Sequence, residues 1–177
     1  CQVMADLMTV YEHKGKLEGL KLAYIGDGNN MAHSLLYGCA KAGMDIAVAT
    51  PKNYEPDTEI VENAKEDAKQ SGSSVLVTYD PEEAMANADV VCTDTWVSMG
   101  QEDEKAERVK IFRDYQINGA LFAKSKEDSI FIHCLPAYRG YEVTDDVIDG
   151  PRSVIFDEAE NRLHAQKAVM AAVMGKV

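Results

Sequence analysis

Short apolar runs that alternate with helical stretches constrain this chain more than any other feature. "LKLAYIGD", "DIAVATP", "SVLVTYD" and "DVVCTDT" read as strands, and "NNMAHSLLYGCAKAG", "TEIVENAKEDAKQSG" and "PEEAMANA" between them read as helices. Met31, Leu35, Leu36 and Cys39 follow helical spacing, Gly43 stops that helix, and Pro81 sits in the first turn of another. Strands separated by helices pair in parallel through right-handed crossovers. The expectation is a doubly wound, mostly parallel α/β sheet of about five strands with helices on both faces, Rossmann-like, in one domain over residues 1–177.

The remaining segments extend that plan. "CQVMADLMTVYEHKG" places Val3, Leu7, Met8, Val10 and Tyr11 near helical spacing and ends at Gly15, which predicts a helix over residues 2–13. "EDEKAERVKIFRDYQI" reads as a charged helix and "SIFIHCLP" as a fifth strand. A short helix is expected near Val143 to Ile148, then "SVIFD" as a β-type run, then a last helix from about Glu158. The first helix has no capping residue ahead of it and the chain opens on Cys1, so we expect a piece of something longer.

Charge and cysteine usage exclude several classes. Thirty acidic against eighteen basic residues give a formal charge of -12, which repels a phosphate backbone and argues against nucleic-acid binding. A small cationic or zwitterionic ligand suits that field better, although the acidity also serves plain solubility. Cys1, Cys39, Cys92 and Cys134 are far apart and form no Cys/His cluster, so neither a metal site nor a disulfide framework is indicated, and a reducing, cytoplasmic setting fits. No apolar run approaches the roughly 18 residues of a membrane span, and no signal peptide is apparent.

Four polar clusters fall where strands end, and in an open parallel sheet the ligand crevice lies beyond those ends. "GDGNN" puts Asn30 at the start of a helix, where free N–H groups favour an anion; the alternative is that Gly26 and Gly28 make the turn and Asn30 caps the helix. Met31 replaces the third glycine of a dinucleotide fingerprint and no acid ends the second strand, so no nicotinamide cofactor is expected. In "DTWVSMG", Asp94 can hold an ammonium, while Ser98 and the amides around Met99 can hold an amino-acid head group; capping and core filling are the alternatives. In "HCLP", Cys134 stands as a nucleophile, which no triad spacing supports, or as an inert buried thiol, His133 points to the other face, and Pro136 fixes a turn that can be cis. In "EAENR", Arg162 can clamp a phosphate or carboxylate, though isolated arginines are usually solvated.

In order along the chain, "CQVMADLMTVYEH", "GDGNNMAHS", "DTWVSMGQE", "HCLP" and "EAENR" resemble the carboxyl-terminal, ornithine-binding half of the ornithine carbamoyltransferase family, over essentially all 177 residues. The resemblance implies transfer of a carbamoyl group from carbamoyl phosphate to the side-chain amine of L-ornithine, giving citrulline and phosphate, with no cofactor and no metal. It implies that Asn30, Asp94, Ser98 and the Met99 backbone hold the ornithine head group. Cys134 and the Leu135 carbonyl would lie by the reacting amine, and Gln2 and Arg162 would hold carbamoyl phosphate. Asp94, Cys134 and Arg162 are thereby the catalytic candidates. It further implies a homotrimer and an amino-terminal domain with an S-x-R-T motif; that motif and the H-P pair expected before Cys1 are absent, so we expect the chain alone not to turn over.

Aspartate carbamoyltransferase fits less well, because its substrate carries a second carboxylate and "DTWVSMG" offers a carboxylate. Putrescine carbamoyltransferase is the nearer rival. A non-catalytic amino-acid-binding module stands as the alternative of a different class, ahead of a dinucleotide oxidoreductase.

Overall fold

The apolar runs become strands whose residues are buried in succession, not alternately, because helices cover both faces of the sheet. The computed structural model describes residues 1–97, 100 and 102–175. Among these, the strands are β1 (Lys21–Ile25), β2 (Asp45–Ala49), β3 (Val75–Thr78), β4 (Val90–Thr93) and β5 (Ile130–His133). All pair in parallel in the order β3-β2-β1-β4-β5. Only the edge strand β3 is largely unburied. The strand order reverses between β1 and β4, so the crevice opens beyond Ile25 and Thr93.

The helices are α1 (Gln2–Lys14), α2 (Asn30–Lys41), α3 (Thr58–Ser71), α4 (Pro81–Met85), α5 (Lys105–Phe112), α6 (Gly119–Phe122), α7 (Asp145–Ile148) and α8 (Ile155–Met174). Side chains of α1, α2 and α3 meet Leu22, Tyr24, Val48 and Ile132 in one core. Side chains of α4, α6 and α7 meet Ala23, Ile25, Val91 and Phe131 in a second core on the other face. α8 packs along α1, which brings the first and last helices side by side. Short polar side chains start several helices: the side chains of Asn29, Asp57, Asp80 and Asn118 each accept a backbone N–H of the first turn. Gly15, at φ 73°, closes α1 with its N–H on the Tyr11 carbonyl at 2.8 Å.

Two expectations need correction. The charged stretch after residue 101 is not one helix: α5 is flanked by 3-10 turns at Glu102–Glu104 and Arg113–Tyr115. The reason lies at Arg108, which turns inward and is only 3% exposed, so this element is tied to the interior. "SVIFD" is not a strand either. Ser153 makes a single parallel bridge to Phe131, and α8 begins at Ile155. Ile155 enters the second core, while Asp157 occupies the first turn, where the helix dipole favours an acid. The short helix expected near Val143 is α7, one turn from Asp145, and Val143 itself bridges Ile117.

Candidate functional site

The strand-end clusters converge at the switch point. The turn after β1 runs under a neighbouring loop: Gly28 donates its N–H to the Tyr54 carbonyl at 2.8 Å, and a Cβ on Gly28 would stand 2.3 Å from the Pro56 nitrogen. This approach admits glycine only. Asn29, not Asn30, caps α2, its side chain accepting the Met31 N–H at 3.0 Å. Asn30 is therefore released from capping, exposed at the first position of the helix.

β4 and β5 deliver the next two groups. The Thr93 hydroxyl donates to the Ile25 carbonyl at 2.6 Å and locks the ends of β4 and β1 together. Asp94 follows, half-buried, with Oδ1 accepting the Thr95 N–H at 2.7 Å. Cys134 follows β5, and its thiol donates to the same Oδ1 at 3.2 Å. Burial, then the Asp94 carboxylate, pushes the Cys134 thiol far above its ordinary range, so it is a neutral donor and no nucleophile.

His133 turns to the opposite face, as strand alternation requires. Its Nδ1 accepts the Leu135 N–H at 2.9 Å, and its Nε2 lies 3.4 Å from Glu142 Oε1. Leu135 adopts a left-handed φ of 54°, and the Leu135–Pro136 bond is cis.

A second group of residues comes from the two ends of the chain. Arg162, about two turns into α8, donates from Nη1 to Gln2 Oε1 at 2.8 Å. Gln2 Nε2 donates to Asp6 Oδ1 at 2.8 Å and to Glu158 Oε1 at 3.0 Å. Glu158 Oε2 in turn accepts the His133 N–H at 2.7 Å. Asp6 and Glu158 are each 1% exposed. Burial, reinforced by Asp6, pushes the Glu158 carboxyl up to about 9, and burial raises Asp6 to about 6. The pair therefore keeps a proton at neutral pH, and a proton on Glu158 supplies the donor that Asp6 Oδ2 otherwise lacks.

The structure thus brings Asp94 to Cys134 and Gln2 to Arg162, with Asn30 and Leu135 on the same edge of the sheet. Ser98 and Met99 lie outside the described residues. Arg108 donates from Nε to the Trp96 carbonyl at 2.5 Å and from Nη2 to the Asp27 carboxylate, joining the start of the loop after β4 to the turn after β1. Arg108 also stacks over Tyr54 and Phe112. Burial raises the Asp27 carboxyl against the pull of that guanidinium. A hollow of about 150 Å³ lined by Trp96, Lys105, Tyr138 and Tyr141 adjoins this loop, and Asp94, Cys134, Gln2 and Arg162 are not in its wall. No group of three or more His, Cys, Asp or Glu among the described residues is arranged to hold a metal ion.

Sequence reasoning missed Asp6, Glu158, Asp27 and Arg108. The one signal present for the first two was spacing: Gln2 and Asp6, like Glu158 and Arg162, are four apart and share a helix face.

Comparison with known proteins follows the same geometry. Residues 18–173 match the family model described as aspartate/ornithine carbamoyltransferase, Asp/Orn binding domain. The chain is 59% identical over 175 residues to an ornithine carbamoyltransferase of Carboxydothermus hydrogenoformans, covering 99% of this chain and 56% of that protein. The solved ornithine carbamoyltransferase of Pyrococcus furiosus superposes with a TM-score of 0.96 at 55% identity, covering 100% of this chain and 56% of that one. That of Gloeobacter violaceus superposes with a TM-score of 0.92 at 54% identity, covering 99% and 58%. The chain spans a little over half the length of the relatives it matches.

Proposed function

Because this chain belongs to the aspartate/ornithine carbamoyltransferase family as its Asp/Orn-binding domain, we infer that it is the ornithine-binding half of an enzyme that carbamoylates L-ornithine. The observation that carries this reading is the division of the site into two chemically different ends. Asp94 with Cys134 offers a carboxylate and a neutral thiol to an amine. Gln2 with Arg162 offers an amide and a cation to carbamoyl phosphate.

The chemistry distributes itself over those ends. Asp94, with Asn30, Ser98 and the Met99 backbone, holds the α-ammonium and α-carboxylate of ornithine. The side-chain amine must lose its proton before it attacks, since an alkyl ammonium titrates near 10.4 and has no lone pair while charged. With the Cys134 proton directed at Asp94, the sulfur lone pairs face away from it and, with the Leu135 carbonyl, accept the amine's N–H groups. That contact turns the nitrogen lone pair toward the carbamoyl carbon. The C–N bond forms, the carbamoyl C–O bond to phosphate breaks, and the nitrogen gives up one proton, for which the departing phosphate is an acceptor. Gln2 and Arg162 stabilise the oxyanion and the leaving phosphate.

One arginine is a small cationic site for a phosphate, so the activity needs further cations from an amino-terminal half and from neighbouring subunits of a homotrimer. A cytoplasmic enzyme fits this reading, and no helix among the described residues is long and apolar enough to cross a membrane. The test is citrulline formation by the full-length carbamoyltransferase containing these residues, with the 177-residue chain alone as the inactive comparison. Replacing Asp94 by Ala should lower kcat/KM for ornithine by about 10²-fold, in keeping with about 1.5–3 kcal/mol for a charged hydrogen bond. Use of putrescine as readily as ornithine would overturn the amino-acid specificity.

A further inference from the structure

Asp6 and Glu158 are a pair of carboxyls at 1% exposure, packed where α1 meets α8. Among the described residues neither is hydrogen-bonded to a cation, because Arg162 gives its bond to Gln2 instead. Such a pair is a poor way to stabilise two packed helices: apolar side chains of similar volume would do as well or better. Its geometry points to another use. Gln2 donates from Nε2 to both acids, so its amide cannot flip and its oxygen is held toward Arg162. Glu158 at the same time takes the N–H of His133, the residue immediately before Cys134.

We propose that Glu158 is a positioning residue for carbamoyl transfer: its two carboxyl oxygens hold the Gln2 amide and the His133 N–H together, fixing the Gln2–Arg162 pair relative to Cys134. The span is set by one rigid planar group. Gln2 and Arg162 face the carbamoyl donor, Cys134 faces the amine, and Glu158 touches neither substrate. Asp6 contributes the partner for the proton that the two acids share. This proposal rests on the carbamoyltransferase reading.

The experiment compares Glu158→Gln and Asp6→Asn in the full-length carbamoyltransferase. Each removes one buried acid and so relieves the same unfavourable pairing, and Tm measured beside kcat separates a loss of folding stability from a loss at the site. They differ at the site. The Glu158→Gln side chain has one acceptor oxygen and must drop either Gln2 or His133, whereas the Asp6→Asn side chain still accepts from Gln2 and leaves Glu158 with both of its oxygens. The expected result is a fall in kcat of about 10²-fold for Glu158→Gln, the scale of a misplacement near 1 Å, with KM for ornithine little changed. Asp6→Asn should lose far less. Should Glu158→Gln not fold, Glu158→Asp retains an acid one methylene too short to reach both donors, and the same split between kcat and Tm decides. Wild-type kcat in the position-158 variant, or equal losses in both variants that follow Tm, would overturn the proposal. An unchanged enzyme that makes no citrulline would instead overturn the functional reading, and this proposal with it.

Discussion

The Cys134 thiol stands 3.2 Å from Asp94 Oδ1 and donates its proton to it. A thiol so placed is held neutral, since ionising it would set a second negative charge beside a carboxylate in a largely buried site. Iodoacetamide at pH 8 should accordingly label the exposed Cys1 and spare Cys134, read by mass spectrometry of the peptides. Asp94→Asn removes the charge and should raise labelling of Cys134. Rapid alkylation of Cys134 in the unchanged protein would contradict a neutral thiol.

The acid pair at the α1–α8 contact predicts a direction for stability with pH. Glu158 shifts from 4.5 to about 9 and Asp6 from 3.8 to about 6 on folding, so the folded state binds more protons than the unfolded one between those values. Their contribution is complete below about pH 4 and is lost as pH rises toward 9. Urea midpoints at pH 5 and pH 9 test this against Glu158→Gln, in which one of the two acids is gone. The variant should gain on the unchanged protein as pH rises, and parallel curves would show that the pair does not titrate in this range.

Arg108 is the buried cation that ties Trp96 and Asp27 together, and removing it strands the Asp27 carboxylate. Arg108→Met should cost about 3 kcal/mol, at the lower end for a broken buried pair because Asp27 can take up a proton. For a chain of this length that corresponds to a fall in Tm of about 6–12 °C by calorimetry. Adding Asp27→Asn should recover part of the loss, and strict additivity of the two changes would mean the pair is not coupled.

Gly28 is required by proximity, not by its own dihedral angles. A methyl group there would press on backbone atoms of Tyr54, Glu55 and Pro56, which cannot swing aside as a side-chain tip can. Gly28→Ala should destabilise by about 1–3 kcal/mol, measured by denaturant unfolding, and should shift the amide resonances of residues 53–57. Unchanged stability would mean that loop yields freely.

The strands and their order of use were legible because burial on both faces leaves continuous apolar runs, as in Leu22–Ile25 and Ile130–Ile132. Asp94 and Cys134 were legible as polar groups at strand ends but not as a bonded pair, which depends on β4 and β5 lying side by side. "SVIFD" misled because Val154 and Ile155 have strand-forming side chains, yet burial of Ile155 against the second core and an acid in the first turn favour a helix there. Arg108 looked like one charge in a solvated row, and only the approach of Asp27, 81 positions away, turns it inward. Asp6 and Glu158 were hidden for the same reason. An acid in a helix reads as exposed until a second helix, distant in sequence, covers it.

The bond between Gln2 and Arg162 joins positions 160 residues apart, at the beginning of α1 and well into α8. A ribosome would release the residues for the whole sheet before it released the arginine. A nascent chain can therefore join its five strands while Gln2 still lacks its arginine partner. Asp94 and Cys134 belong to the sheet and can meet early; the Gln2–Arg162 bond comes into being only when synthesis has passed Arg162.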